Sequence, residues 1–125
     1  MVLVERYPVL GGVCLNVGCI PSKALLHIAL IVHELDEFKH HGLVYGSPQF
    51  DLDKIRTWKE GVTSALTGGL AKLVKQRKIT LVQGVGKFTG TNTIAVETPE
   101  SSKTVKFEQA IIAAGSHPTK IPVFP

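Results

Sequence analysis

The chain has 125 residues, 44% of them hydrophobic and 19% charged, with 12 Gly and 7 Pro. That length suits one domain with a single apolar core, and the composition excludes disordered, collagen-like and mucin-like chains. The net charge of +4 is spread from Arg6 to Lys120, and with only 6% aromatic residues there is no stacking platform for nucleic-acid bases.

Val2-Leu3-Val4 predicts a buried strand ending at Glu5, and Met1 to Arg6 lack the basic start and apolar centre of a signal peptide. Tyr7-Pro8 and Gly11-Gly12 mark an irregular connection. From Pro21 the pattern is helical, with Ala24, Leu25, Ile28, Ile31, Val32 and Leu35 at three- and four-residue steps until His41-Gly42. The longest clean apolar run, Ile28 to Val32, falls short of the roughly 18 residues that cross a bilayer, so no membrane span is expected. Asp51 is placed to cap a second helix with Ile55, Trp58, Val62, Leu66, Leu70, Leu73 and Val74 on one face. Gly61, Gly68 and Gly69 either admit close packing or mark a bend in it. The densest basic group, Lys72, Lys75, Arg77 and Lys78, suits that helix's C-terminal end.

Strands are predicted at Ile79–Gln83, Thr93–Thr98, Thr104–Phe107 and Ala110–Ala114, with a hairpin turn at Pro99-Glu100-Ser101-Ser102. The last strand is wholly apolar, as in the central sheet of an α/β fold. Pro118, Pro122 and Pro125 predict an extended tail. The expected class is α/β: one portion of a doubly wound domain with a small antiparallel meander.

The most informative stretch is Gly11-Gly12-Val13-Cys14-Leu15-Asn16-Val17-Gly18-Cys19-Ile20-Pro21-Ser22-Lys23. In a regular helix, residues five apart differ by about 7.5 Å in rise alone, which is too far for a disulfide. A bridge between Cys14 and Cys19 needs a distorted turn, which Gly18 can supply. A metal site would need about two more ligands, and only His27 is near. Two inert buried thiols would leave the glycines and Lys23 unexplained. A redox-active dithiol accounts for both, with Lys23 able to stabilise thiolates.

This stretch resembles the active-disulfide signature of the flavin-dependent pyridine-nucleotide disulfide oxidoreductases, and within them the dihydrolipoamide dehydrogenases. The resemblance extends along the chain through Gly84-Val85-Gly86-Lys87-Phe88 and Ile111-Ile112-Ala113-Ala114-Gly115-Ser116. Ser22 departs from glutathione reductases, which carry Lys there; mercuric reductases share Pro21-Ser22-Lys23.

The resemblance implies a Rossmann-type FAD-binding domain and electron flow from dihydrolipoamide through the disulfide and FAD to NAD+. Cys14 is then the interchange thiol, Cys19 the thiol facing the flavin, and Lys23 a residue beside the ring. Glu5 falls where an acidic residue holds ribose hydroxyls. Gly12 and Gly86 match backbone approaches to the cofactor, and Ala114-Gly115-Ser116 match a turn at FAD. Ala114 lacks the hydroxyl usual at its place. Taken alone, Glu5 is an exposed strand-end carboxylate, Gly12 a plain turn and Gly86 a bulge. The five histidines are read as surface residues, since the family's catalytic base belongs to an interface domain with no counterpart here.

The sequence also lacks the family's GxGxxG phosphate loop. Residues 1–125 are therefore expected to form a partial FAD-binding domain, without the NAD and interface domains and inactive in isolation. The resemblance further implies a homodimeric parent enzyme, a lipoyl domain of a 2-oxo acid dehydrogenase complex as partner, and a bacterial cytoplasm or mitochondrial matrix as location. A mercuric reductase and a non-catalytic association module are the rival readings.

Overall fold

The computed structural model describes residues 1–98, 101–117 and 119–123. Strand β1 (Val2–Glu5) leads through a loop to two consecutive helices, α1 (Gly12–Val17) and α2 (Cys19–Phe38). A 3-10 turn at Lys39–His41 and an irregular stretch precede α3 (Leu52–Gln76). Four strands follow: β2 (Thr80–Gln83), β3 (Val85–Gly90), β4 (Thr93–Glu97) and β5 (Ser102–Lys106).

β1 and β2 pair in parallel, with Val2 opposite Thr80, Leu3 opposite Leu81, Val4 opposite Val82 and Glu5 opposite Gln83. The Thr80 N–H donates to the Met1 carbonyl at 3.0 Å and the Gly84 N–H to the Glu5 carbonyl at 2.9 Å, which extends the ladder at both ends. Parallel strands need a long crossover, and the helices supply it. The segment at 79–83 was expected in the meander and belongs here instead. The meander is β3-β4-β5, antiparallel throughout. Its first strand escaped the sequence reading because Val-Gly-Lys-Phe-Thr-Gly has no apolar alternation. Gly84 joins the two sheets at φ +155°, where a Cβ would collide with the Glu97 carbonyl. Phe88 and Phe107 meet edge to face at 6.0 Å across the meander.

The first long helix begins at Cys19, two residues before the expected Pro21. The proline is tolerated because the first turn has no use for its N–H. Ala24 is buried and Ile28, Val32 and Leu35 are half-buried on one face, whereas Leu25 and Ile31 are exposed. Leu25, Ile28 and Val32 border an apolar groove of about 370 Å³ closed on its other side by Phe50 and Ile55. Residues 12–41 together are long and apolar enough, by length and composition, to cross a membrane, contrary to expectation. The criterion is averaged apolarity, which the short run at Ile28–Val32 did not reveal. Gly18 interrupts this stretch, and α2 lies against α3.

α3 starts as expected at Asp51 and ends in a left-handed Lys78 (φ +51°), with the Ile79 N–H returning to the Val74 carbonyl at 3.0 Å. The helix runs unbroken through Gly61, Gly68 and Gly69, and they admit no close packing: apart from chain neighbours and the helix's own backbone, no atom lies within 4 Å of a Cβ built on any of them.

Three further expectations are corrected. β1 is half-exposed, with Leu3 37% accessible, because β2 covers only one of its edges. Ala110–Ala114 form no strand; Ile111 is 96% accessible, since no described strand offers it backbone partners. Pro122 stands in a turn, while Pro118 and Pro125 lie outside the described residues, as do Pro99 and Glu100 of the expected hairpin turn. Among the described residues only Ala24 and Val96 count as buried apolar side chains.

The Asp51 carboxylate accepts from the Lys54 N–H at 3.0 Å and pairs with Lys54 Nζ at 3.1 Å. The backbone hydrogen bond first, and the side-chain one second, hold its carboxyl below the ordinary range. A lowered folded-state value means the stabilisation is present above the unfolded value of about 3.9 and is lost as pH falls through the folded one. Protection of the Lys54 amide, its exchange rate taken relative to the free peptide at the same pH, should therefore fall on acidification below about pH 4, and Asp51→Asn, an uncharged cap, should remove that dependence.

A candidate dithiol site at the break between α1 and α2

β1 delivers the chain at Glu5, whose Oε1 accepts from the Tyr7 N–H at 3.0 Å and turns the backbone out of the sheet. The loop runs to Gly11 (φ +115°), and Gly12 opens α1. α1 ends at Gly18, with φ −122° and ψ −117°. A Cβ on Gly18 would lie 2.9 Å from the Val13 carbonyl oxygen and 3.1 Å from Cys14 Cα. Only glycine lets the chain double back this closely, and that approach brings Cys19 to Cys14. The distorted turn expected at Gly18 is present.

Both cysteines are exposed free thiols. A side-chain hydrogen bond with Cys19 pushes the Cys14 thiol up from its ordinary value, reinforced by partial desolvation. Cys19 is the first residue of the 20-residue α2, where the helix dipole favours negative charge. Ser22 Oγ donates to the Cys19 carbonyl at 3.1 Å, and the Ser22 N–H donates to the Gly18 carbonyl at 3.1 Å, fixing this first turn. Lys23 follows Cys19 by four residues on the same helix face and is exposed. Two neighbouring exposed sulfurs, one of them hydrogen-bonded to the other, are placed for thiol–disulfide exchange.

Beside α1 lies a mostly apolar groove of about 250 Å³, bordered by Tyr7, Val9, Gly12, Val13, Val17 and the amide residue Asn16. Glu5 stands at the carboxyl end of a parallel strand close to this loop, and a carboxylate has acceptor capacity beyond its bond to Tyr7. Gly86 is drawn up behind β1: its Cβ would meet Val4 Cγ1 at 3.4 Å. It is paired in register with Val96, and the ladder's irregularity lies between Phe88 and Gly90, so Gly86 is no bulge. Ala114, Gly115 and Ser116 lie in an exposed irregular segment, which the structure does not join to the dithiol. Sequence reasoning missed Asn16, which hydrogen-bonds the loop entering α1. Its signal was a polar amide between the two cysteines on an otherwise apolar turn.

The family profile for pyridine nucleotide-disulphide oxidoreductases matches residues 1–124. Dihydrolipoyl dehydrogenase of Vibrio cholerae is 56% identical over 124 residues, covering 99% of this chain and 26% of the relative. The Vibrio parahaemolyticus enzyme of that name is 57% identical over the same shares. That of Manduca sexta is 42% identical over 98% of this chain and 25% of its own. The chain thus spans about a quarter of the length of these curated relatives.

Removing the partner thiol should release Cys14: in Cys19→Ala, thiolate absorbance near the ultraviolet edge should report a Cys14 titration shifted down toward the ordinary value. Gly18→Ala should force α1 and α2 apart and cost about 1–3 kcal/mol as an overpacked contact. Denaturant unfolding and capture of the pair by a dithiol-bridging arsenical would both register that separation.

Proposed function

Because the chain belongs to the pyridine nucleotide-disulphide oxidoreductase family, we propose that Cys14 and Cys19 are the redox-active pair of a dihydrolipoyl dehydrogenase. The observation that carries this reading is the approach of Cys14 to Cys19 across Gly18, in a chain 56% identical to such an enzyme over 99% of its length.

In the oxidised pair, one thiolate of dihydrolipoamide attacks Cys14 Sγ, forming a mixed disulfide and releasing Cys19 as thiolate. The second substrate thiol then displaces Cys14, closing the lipoamide disulfide. Two electrons have passed to the cysteine pair, and a proton accompanies Cys14 as it leaves. The raised Cys14 thiol, hydrogen-bonded to Cys19, suits its part as the sulfur that leaves with the proton.

FAD held beside the pair would supply two-electron chemistry linking it to NAD+. The chain's residues fit that cofactor in part. Glu5 would accept from ribose hydroxyls, and Gly12 borders the mostly apolar groove beside the dithiol. Gly86 would supply a backbone contact, Ala114-Gly115-Ser116 a backbone turn, and Lys23 positive charge beside the reduced pair. No GxGxxG occurs in the sequence, so the pyrophosphate cradle is not among these residues. Residues 1–125 accordingly constitute part of an FAD-binding domain. In the whole enzyme we assign a homodimer, a lipoyl domain of a 2-oxo acid dehydrogenase complex as partner, and the bacterial cytoplasm or mitochondrial matrix as its place.

A chimera tests this. The 125-residue chain should retain no stoichiometric flavin through gel filtration. Exchanged for the matching segment of the Vibrio cholerae enzyme, it should yield a flavoprotein that reduces NAD+ with dihydrolipoamide. Cys14→Ser and Cys19→Ser should each lower that turnover by about a thousandfold or more. A flavin-loaded chimera without turnover, or a serine variant that keeps it, would overturn the reading.

A further inference from the structure

The six-residue α1 carries Cys14 and has little of its own to hold it. Its N-cap is Gly11, which offers no side chain, with no acidic residue in its first turn and no basic residue in its last. A helix this short is far below the length that is stable alone. Among the described residues, the side chain that ties it down is Asn16. Its Nδ2 donates to the Gly12 carbonyl at 2.9 Å and to the Leu10 carbonyl at 3.2 Å, and the side chain is half-buried. The first bond runs back one turn within α1; the second leaves the helix for the loop that enters it. Both amide protons are used, on carbonyls either side of Gly11. Residues two apart on a helix point about 200° apart, so Asn16 grips the loop while Cys14 faces the other way.

We propose that Asn16 is the positioning residue of the dithiol, clamping the Leu10–Gly12 turn to α1 so that Cys14 is held against Cys19. The proposal rests on the redox reading of the pair. No hydrogen bond joins Asn16 to either sulfur; its two bonds go to the turn that enters α1, and it acts by holding that turn. A pair whose approach is preset closes its disulfide at a higher effective concentration than a loose pair of equal spacing.

The test is the thiol–disulfide equilibrium of Cys14 and Cys19 with glutathione, for the 125-residue chain and for Asn16→Ala and Asn16→Asp. Each is measured in native buffer and in concentrated guanidinium. The native-to-denatured ratio of effective concentration reads how far the fold presets the pair. Asn16→Asp keeps the side-chain size but sets a carboxylate against two carbonyls. Each variant should lose about tenfold in that ratio, as two hydrogen bonds would supply, with the far-UV helical signal unchanged. A ratio within about twofold of wild type in both variants overturns the proposal. Loss of the helical signal in both makes Asn16 a residue of the fold at large and also overturns it. A wild-type ratio near one overturns the dithiol reading itself, and this proposal with it.

Discussion

Parallel pairing of Val2–Glu5 with Thr80–Gln83 joins the first strand to a strand beyond three helices. Parallel pairing is somewhat weaker per residue than antiparallel, and closing so long a loop is entropically costly. The arrangement therefore depends on the helices packing as they cross over. In return the ladder sets where the chain leaves the sheet. It ends at Glu5, and from there one loop reaches α1 and the cysteines. The Gly84 N–H on the Glu5 carbonyl closes the same end of the ladder and starts the meander.

The crossover is thinly buried. The chain exposes 10464 Å², whereas a compact monomer of its mass exposes about 6,500 Å². Leu25, Leu26, Leu30, Ile31 and Trp58 are all more than 40% accessible on the two long helices. Helical residues at these spacings ordinarily face a core. That surplus of apolar surface supports the proposal that residues 1–125 are part of a larger FAD-binding domain, alongside relatives about four times as long.

The dithiol, by contrast, is built locally. One missing Cβ at Gly18 permits the approach, the start of α2 supplies a favourable field at Cys19, and Asn16 restrains the turn before Cys14. None of these depends on a deep core, so the geometry persists in a chain with so little buried surface. Both cysteines are exposed, so the pair is open to thiol reagents from solvent.

Much of this was legible in the residues themselves. Asp51 as a cap, Gly42 as a stop, Gly18 as the distorted turn and the two cysteines as a pair follow from local chemistry, which acts over one helical turn. Strand partnership does not. Ile79–Gln83 and Ala110–Ala114 look alike as short apolar runs, yet the first is paired and the second lies open. A strand's hydrogen bonds belong to another segment, so propensity marks a candidate and only the neighbour makes it a strand. The same holds for burial: the sequence by itself determined which faces are apolar, and only the tertiary structure decided that most stay half-exposed. Composition at the outset suggested a chain able to bury one core. In the fold, two buried apolar side chains among the described residues are all that this composition secures, because burial requires a facing surface as well as an apolar one.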